Sequence, residues 1–502
     1  MRAFRLLLAV ALGLVLGLPS AASAAGKKKP KRTSRPAAAG NLSLETRLAA
    51  MAARPPVRKR EFAVAVQRLG DESPLLLVNA QTPLILASTA KLFTSAAALD
   101  RLGPEYRFRT RLYVDQEIGA DGVLRGPLVV AGGGDPAISG RLYDDDPLAV
   151  FRPWAQSLAA RGVREVPDGL LLDTSFFDDV RVHPDWPAAQ EQYWWQAPVS
   201  ALSYNDNIVL VRATGGYRPG ASAVLGFYPA GPPLMSLIGR VVTARTRAAR
   251  VGVKREAGSR TVVASGIVGR QRTWSGDITV PDPPLYFAAA LSQVLREAGI
   301  RLGDEIRVRT EPSPSGRPGR TLVHVHETPI LPVLSVCNKR SHSFFAEQTL
   351  KTLGAEKRGR GTWENGLAEV SAFLASLGLD PSRYQLADGS GRSRGNLASA
   401  EDYLRFLEVL ATRWDGFPMF DTTLAVTGDV EGSLRHRMLG RYTRYRVHAK
   451  TGNIAGVVTL CGYVTAQSGR RYAFAILING GVSDARGHAW QDRFVTELAR
   501  FG

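Results

Sequence analysis

Strand-like hydrophobic patterns occur towards both ends of the chain. The run EFAVAVQRLG (61–70) alternates apolar and polar residues, and the shorter apolar run LLLVNA (75–80) follows it, which is typical of a β-hairpin. Near the C-terminus, the runs 446–456, 457–469 and 471–481 are joined by short turns that contain glycine and predict three further strands. Together the two ends predict one five-stranded antiparallel sheet.

Helical periodicity occurs beside these strands. One helix is predicted to start near Ser88, directly after the first hairpin. Helical patterns return from Glu327 onward, and a last amphipathic helix is predicted over 483–502. The fold class is therefore predicted as α+β, with the five-stranded antiparallel sheet flanked by helices.

Residues 108–324, called the central region below, have a different pattern of apolar runs and turn residues. Short strand-like runs alternate with Gly, Pro and Asp, as in 126–140, and one helix is predicted near 285–300. We interpret the central region as one or two mostly β domains inserted into a single domain of residues 41–107 and 325–502.

The N-terminal 40 residues differ from the rest. Residues 1–24 combine Arg2 and Arg5 with an apolar run and a small-residue cleavage pattern, which predicts a secretory signal peptide; an uncleaved membrane anchor is the alternative. Residues 25–40 are basic, lack apolar periodicity and are predicted to be a disordered linker.

The charge balance suggests where such a chain acts. The 502 residues carry a net charge of +19, and the N-terminal 40 hold eight of the basic residues and no acidic one, so the remainder is also basic. For an exported protein we expect contact with an anionic wall polymer or membrane surface, through the linker, rather than with nucleic acid. The two cysteines, Cys337 and Cys461, fit either one disulfide or two free thiols.

The segment LASTAKLFTSAAAL (86–99) places Ser88 and Lys91 three residues apart at the predicted start of a helix. This spacing brings both side chains to one face, where a lysine of lowered pKa can take the proton of a serine nucleophile. Only Lys91, of 11 lysines, has a serine three residues earlier. The alternative is a serine that only caps the helix.

Two further motifs carry candidate chemistry. In HAKTGN, Lys450 and Thr451 present a cation and a hydroxyl, and Gly452 leaves room for an extended peptide along a strand; an ordinary edge strand is the alternative. In NKRSHSFFAE, Ser341 and Ser343 lie two residues apart at the start of a helix.

The combination of Ser-x-x-Lys, a Ser-x-Ser element and Lys-Thr-Gly resembles penicillin-binding proteins and related β-lactamases. From about residue 60 onward the chain resembles the penicillin-binding-protein 4 type of D-alanyl-D-alanine carboxypeptidase/endopeptidase, the S13 peptidase family. The resemblance includes GPEYRFRTRLY, GGGDP, APVSALSYNDN, ADGSGRSRGNL and LAVTGDVEGSLRHRM. It implies a transpeptidase-type fold with an insertion, peptidoglycan stem peptides as substrate, β-lactams as acylating inhibitors, no cofactor and a periplasmic location.

The resemblance also implies catalytic roles. Ser88 would be the acylated nucleophile and Lys91 its general base. Ser341 would relay a proton to the leaving D-alanine, assisted by the field of Lys450.

Substrate contacts are implied in the same way. Lys450, Thr451 and Gly452 would bind the terminal carboxylate and backbone of the stem peptide. The backbone N–H groups of Ser88 and Asn453 would form the oxyanion hole. Asp135, in GGGDP, would face the substrate side chain.

Ser343 departs from the family pattern, in which asparagine is usual. A hydroxyl reaches less far than an amide, so we expect weakened turnover with the acylating pair intact. A catalytically silent wall-binding scaffold is therefore an alternative, and a β-lactamase is a second one, disfavoured by the insertion. Homo-oligomerisation and the balance of carboxypeptidase and endopeptidase action stay open.

Other candidate sites are set aside. His324 and His326 share one strand face, but no third ligand is apparent, so no metal site is predicted. The aromatic cluster 193–196 is interpreted as packing, with a sugar-stacking platform for a glycan ligand as the alternative, and His342 as a spectator between two serines.

Overall fold

The computed structural model describes residues 42–229, 235–313 and 321–502. The predicted signal peptide and linker, residues 1–24 and 25–40, lie outside these described residues. Within the described ranges, no helix is both long and apolar enough to cross a membrane.

Six antiparallel strands from the two ends of the chain form one sheet. They are β1 (Phe62–Arg68), β2 (Leu76–Val78), β18 (Ala425–Val426), β19 (Val447–Ile454), β20 (Val457–Thr465) and β21 (Arg471–Ile478), in the order β18-β19-β20-β21-β1-β2. All five predicted strands are present, and the two-residue β18 adds a sixth beside β19. The predicted α+β architecture is confirmed.

Helices cover both faces of this sheet. The helices of the described residues are α1 (Leu44–Ala52), α2 (Lys91–Leu102), α3 (Arg152–Ala159), α4 (Pro283–Glu297), α5 (Ile330–Lys339), α6 (Ser343–Arg358), α7 (Trp363–Ser376), α8 (Ala400–Arg413), α9 (Phe417–Thr422) and α10 (Asp484–Phe501). Of these, α3 and α4 pack in a separate core of the central region. Along β1, Phe62, Val64 and Val66 join the core that contains α10, whereas Ala63 and Ala65 join the core that contains α2 and α8. The two-residue period of the sequence thus divides one strand between two hydrophobic cores.

The other strands lie mostly in the central region, with only Leu84–Ile85 and Leu397–Ala398 wholly outside it. They are β3 (Leu84–Ile85), β4 (Arg107–Val114), β5 (Leu128–Ala131), β6 (Glu165–Val166), β7 (Leu170–Asp173), β8 (Ile208–Thr214), β9 (Val224–Tyr228), β10 (Ser236–Ala244), β11 (Arg250–Arg255), β12 (Thr261–Gly269), β13 (Thr273–Thr279), β14 (Arg301–Leu302), β15 (Ile306–Arg309), β16 (Thr321–Pro329) and β17 (Leu397–Ala398). They form a five-stranded sheet β15-β7-β5-β4-β16, two three-stranded sheets β10-β12-β11 and β13-β8-β9, and the pairs β14-β6 and β17-β3.

The chain enters and leaves the central region through neighbouring strands. β4 pairs with β16 in antiparallel register, from Arg107 opposite Pro329 to Val114 opposite Thr321. The chain therefore leaves the central region beside the point where it entered it.

The two cysteines do not pair with each other. Cys337 on α5 and Cys461 on β20 are both buried free thiols. Of the two states that the sequence left open, the structure shows the reduced one.

Candidate active site

Ser88 lies in a single 3-10 turn, Ala87–Ala90, that directly precedes α2. The predicted helix start is therefore split: Ser88 occupies a tight turn, and the α-helix begins at Lys91. Ala87 has a left-handed backbone with φ +47°, and the Thr459 hydroxyl donates to the Leu86 carbonyl across 2.8 Å. The turn is thus fixed against β20 in a strained conformation, as is common at functional sites.

Lys91 is fully buried beneath Ser88. Its Nζ donates to Ser88 Oγ at 2.9 Å and to the Ser390 carbonyl at 2.7 Å, and it lies 3.4 Å from Ser343 Oγ. Burial lowers the pKa of Lys91 to about 8. A useful fraction of this amine is therefore unprotonated near neutral pH and can accept the Ser88 proton.

A second buried lysine approaches the same serines from β19. Lys450 Nζ donates to Ser341 Oγ at 2.7 Å and to the Thr451 carbonyl at 2.6 Å. Burial first, and the charge of Lys91 second, hold the pKa of Lys450 well below its ordinary value. Ser341 itself has φ +57°, so its hydroxyl is presented by a left-handed residue two positions before α6 begins.

The C-terminal half of β19 offers an open strand edge beside Ser88. β18 pairs only with residues 448 and 449, so no other described strand covers the Lys450–Ile454 edge on that side. A Cβ on Gly452 would lie 3.1 Å from the Ser88 nitrogen and 2.9 Å from the Leu86 carbonyl oxygen. The glycine therefore lets the strand approach the nucleophile turn closely.

A cleft of about 390 Å³ opens above these groups. Its lining consists of Ser88, Gln190, Trp194, Trp195, Arg340, Ser341, Ser343, Gly391, Arg392, Thr451, Asn453, Ile454 and Ala455. The cleft thus brings together the predicted serines, Thr451 and Asn453, while the buried lysines reach the serines from below. The predicted oxyanion donors, the backbone N–H groups of Ser88 and Asn453, belong to residues of this one lining, and their role stays a prediction.

Asp388 organises the opposite wall, in the segment ADGSGRSRGNL. Its carboxylate accepts five hydrogen bonds of 2.5–3.2 Å, from the backbone N–H groups of Ser390, Gly391 and Ser393 and the side chains of Asn396 and Trp186. Asp388 thereby fixes the Ser390 carbonyl that receives Lys91. The segment resembles the family, but no local pattern in the sequence indicates a role for its aspartate.

Glu347 on α6 is a second carboxylate that the sequence analysis missed. It is fully buried, and its Oε2 accepts from the Trp363 indole at 2.8 Å and from the Gly389 N–H at 3.0 Å. Burial, reinforced by the charge of Asp388, raises the pKa of Glu347 to about 7. The sequence around Glu347 does not indicate that its carboxylate is buried, because burial of a carboxylate depends on partners that are distant in sequence.

The aromatic cluster 193–196 both packs and lines the cleft. The rings of Tyr193 and Trp195 stack with centroids 4.5 Å apart, and Trp194 and Trp195 belong to the cleft lining. Arg392 belongs to the same lining, and it donates to the side-chain oxygens of Gln190 and, at 3.4 Å, Gln196. Two indoles and a half-buried guanidinium therefore face the space beside Ser88.

His342 is more than a spectator. Its Nε2 lies 3.3 Å from Asp206 Oδ2, and Asp206 forms an ion pair with Arg141. Its ring also packs against Trp194, with centroids 5.4 Å apart. These contacts tie the turn of Ser341 and Ser343 to the segment SALSYNDN of the central region.

The structure does not bring Asp135 into the cleft. Its carboxylate is 1% exposed and accepts hydrogen bonds from the Thr328 hydroxyl at 2.6 Å and the Ala137 N–H at 2.8 Å. Burial raises the pKa of Asp135 to about 6. The expectation that Asp135 faces the substrate side chain is not met, because local partners hold its carboxylate inside the protein.

The two histidines of β16 have different partners. His324 Nδ1 is 2.9 Å from the Ser157 hydroxyl, and His326 Nε2 is 3.6 Å from Asp135 Oδ2. Burial lowers the pKa of His326 to about 4. Within residues 42–229, 235–313 and 321–502, no group of three or more His, Cys, Asp or Glu side chains is arranged to hold a metal ion.

Comparison with known proteins identifies relatives over most of the chain. A D-alanyl-D-alanine carboxypeptidase of Actinomadura sp. (strain R39) is 31% identical over 432 residues, which is 83% of this chain and 77% of that protein. The D-alanyl-D-alanine carboxypeptidase DacB of Haemophilus influenzae is 26% identical over 409 residues, or 80% of this chain and 82% of that protein.

The fold and the family agree with these relatives. The crystal structure of penicillin binding protein 4 (dacB) from Haemophilus influenzae covers 90% of this chain, and 99% of its own length, with a TM-score of 0.77 at 24% identity. The model of the D-Ala-D-Ala carboxypeptidase 3 (S13) family matches residues 44–501. This range contains both lysine–serine pairs and the cleft that they share, and the chain belongs to the D-Ala-D-Ala carboxypeptidase 3 (S13) family.

Proposed function

We propose that this chain carries out its family's reaction on peptidoglycan stem peptides, releasing the terminal D-alanine through an acyl-Ser88 intermediate. The observation that carries the proposal is the 2.9 Å hydrogen bond from Lys91 Nζ to Ser88 Oγ at the base of an open cleft. A serine beside a lysine of lowered pKa is a complete nucleophile and base.

Acylation uses both lysine–serine pairs. Ser88 Oγ attacks the carbonyl carbon of the penultimate D-alanine as its proton passes to Lys91 Nζ. The backbone N–H groups of Ser88 and Asn453 stabilise the oxyanion. As the peptide C–N bond breaks, a proton reaches the leaving amine through Ser341, which Lys450 holds at 2.7 Å.

Deacylation reuses the same base. Neutral Lys91 takes a proton from a water molecule, and the resulting hydroxide attacks the ester carbonyl of acyl-Ser88. The Ser88 oxygen leaves and is reprotonated, which restores the 2.9 Å pair with Lys91. The net reaction is hydrolysis of one peptide bond by one water molecule.

Substrate binding follows from the open edge of β19. An extended stem peptide pairs with this edge, in the manner of strand addition, and its terminal carboxylate lies near Lys450 and the Thr451 hydroxyl. The bare backbone at Gly452 leaves space for this approach. Endopeptidase action requires only that the amine released belong to a cross-linked chain, and we propose it as a second use of the same cleft.

Two wider assignments complete the proposal. We assign residues 41–107 and 325–502 to the catalytic domain and the central region to an insertion, supported by the strands that each contributes. We assign the protein to the periplasm, supported by the secretory pattern of residues 1–24.

One observation favours a weaker variant of this function. Ser343 Oγ lies 3.4 Å from Lys91 Nζ, a longer contact than that of Ser88. With a short hydroxyl in this place, a wall-binding protein that acylates but turns over slowly is the second candidate.

The first experiment is intact-mass measurement after incubation with benzylpenicillin. We expect a stable adduct on the wild type and on Ser382→Ala, an exposed serine outside the cleft, but none on Ser88→Ala. D-Alanine release from a pentapeptide then separates the candidates: rapid release supports the peptidase, and adduct formation without release supports the scaffold. No adduct on the folded wild type would refute the acyl-Ser88 mechanism.

A further inference from the structure

Four arginines converge at one end of the central region, away from the cleft lining. β10 and β12 run parallel, in register from Ser236 opposite Thr261 to Ala244 opposite Gly269. Parallel strands end at the same edge of a sheet, so the residues that follow them emerge together. Arg245 and Arg247 follow β10, and Arg270 and Arg272 follow β12.

These arginines line a hollow of about 490 Å³, together with Pro219, Thr246 and Gln271. All four are exposed. Backbone hydrogen bonds join the loops: the Gln271 N–H donates to the Gly215 carbonyl at 3.1 Å, and the Gly215 N–H donates to the Arg272 carbonyl at 2.9 Å. The hollow is therefore built by connected loops rather than by one flexible segment.

The four guanidinium groups have no acidic neighbour. Among the described residues, no carboxylate lies within 4.0 Å of Arg245, Arg247, Arg270 or Arg272, and the undescribed segments contain no Asp or Glu. Two other exposed arginines of the central region are each paired with a carboxylate, Arg125 with Asp121 and Arg301 with Glu165. Four unpaired cations in one hollow repel each other until an anion occupies it.

We propose that this hollow binds a polymer with repeating phosphodiester groups. The fork of N–H donors on a guanidinium matches the oxygens of a phosphate, and several such groups in series neutralise several arginines at once. Pro219 is the one apolar residue in the lining, whereas a surface that enters a membrane presents several apolar side chains beside its basic ones. Tyr217, 79% exposed, lies two residues before Pro219 and offers a ring face to a sugar unit.

This site does not depend on the proposed catalytic function, because it shares no residue with the cleft. Its effect would be to hold the enzyme on an anionic envelope polymer while the cleft stays free for stem peptides. Binding of this kind weakens steeply with salt, because it releases counterions from the polymer.

The test measures binding of the full chain to poly(glycerol phosphate), with phosphatidylglycerol vesicles as a second probe. We expect the double variant Arg247→Gln with Arg270→Gln to bind the polymer at least about tenfold more weakly. The slope of the logarithm of the binding constant against the logarithm of salt concentration should become shallower by about 2, or about 1 for each lost contact. The matched control is Arg125→Gln combined with Arg301→Gln, which removes the same charge from paired positions and should keep the wild-type affinity.

Three outcomes would overturn the proposal. The first is equal binding by the two double variants, which would place the contact elsewhere, for example in the basic linker that both retain. The second is binding to vesicles but not to the polymer, which would make the hollow a membrane contact. The third is no polymer binding by the wild type at physiological salt. Equal circular dichroism spectra and equal thermal unfolding of all variants would establish that each is folded.

Discussion

Lys91 and Lys450 occupy one buried cluster, and the positive charge of Lys91 is the second cause, after burial, of the lowered pKa of Lys450. Each lysine approaches a different serine, Ser88 at 2.9 Å and Ser341 at 2.7 Å. Two protonated amines so close together in a dry site are unfavourable. The arrangement therefore favours loss of a proton from the cluster, which is what a general base requires.

The first prediction concerns pH. Acylation by benzylpenicillin should speed up as pH rises from 6 to 9, with a midpoint near 8, because only unprotonated Lys91 accepts the Ser88 proton and burial lowers the pKa of Lys91 to about 8. The acylation rate constant, measured by mass spectrometry across this range, checks it. A rate that is flat or falls with rising pH would contradict the assignment of Lys91 as base. Lys91→Arg, which stays protonated, should slow acylation at least about 100-fold.

The second prediction concerns Ser343. Ser343→Asn should raise D-alanine release about 2- to 10-fold, because an amide reaches further towards Lys91 than a hydroxyl at 3.4 Å and one net hydrogen bond contributes about 0.5–1.5 kcal/mol. Steady-state release from a pentapeptide measures this change. Ser343→Ala serves as the control, since it removes the hydroxyl without adding reach. Unchanged or lower activity in Ser343→Asn would show that serine is the adapted residue here.

The third prediction separates backbone strain from crowding. Gly391 and Gly378 have similar φ angles, +77° and +74°, but a Cβ on Gly391 would lie 1.8 Å from the Ala87 carbonyl oxygen, whereas one on Gly378 meets nothing within 4 Å. Gly378→Ala should lower the free energy of unfolding by about 1–2 kcal/mol and leave acylation unchanged. Gly391→Ala should destabilise further and slow acylation, because the nucleophile turn must move. Equal behaviour of the two variants in denaturation and acylation would disprove this role.

The fourth prediction concerns Asp388. Asp388→Asn replaces one acceptor oxygen with an NH₂ group that faces other donors, so at least one N–H of the loop loses its partner, at a cost of about 1–3 kcal/mol each. We expect a lower free energy of unfolding and slower acylation. Asp380→Asn is the matched control, because Asp380 is exposed and accepts only local bonds from Ser382. Comparable stability in the two variants would refute an organising role for Asp388.

Local signals explain what could be predicted from the sequence. The strands of the main sheet follow from their apolar runs, because burial of both faces leaves a pattern within a few residues. The Ser88–Lys91 contact follows from a spacing of three residues in a helical turn. Lys450 was recognised with them because its Lys-Thr-Gly motif is also contiguous.

The remaining features depend on partners that are distant in sequence. Asp388 accepts a hydrogen bond from Trp186, and Glu347 accepts one from Gly389. The burial of these two carboxylates therefore cannot be predicted from their neighbours in the sequence. His342 contacts Asp206 in the central region, which no spacing rule connects to it. For Asp135, the local motif suggested a role that the structure does not show. The motif resembled a substrate contact, but hydrogen bonds from Thr328 and Ala137 hold the carboxylate inside the protein.

The pairing of β1 with β21 has a consequence for biosynthesis. β1 is complete early in translation, yet its neighbour Arg471–Ile478 is made only near the end, after the whole central region. Until then the strand Phe62–Arg68, almost entirely apolar or buried in the finished protein, exposes an unpaired edge that invites aggregation. We therefore expect the emerging chain to need a holding chaperone, and incomplete chains to carry Ser88 without ever becoming penicillin-reactive, since Lys450 arrives with the same late strands.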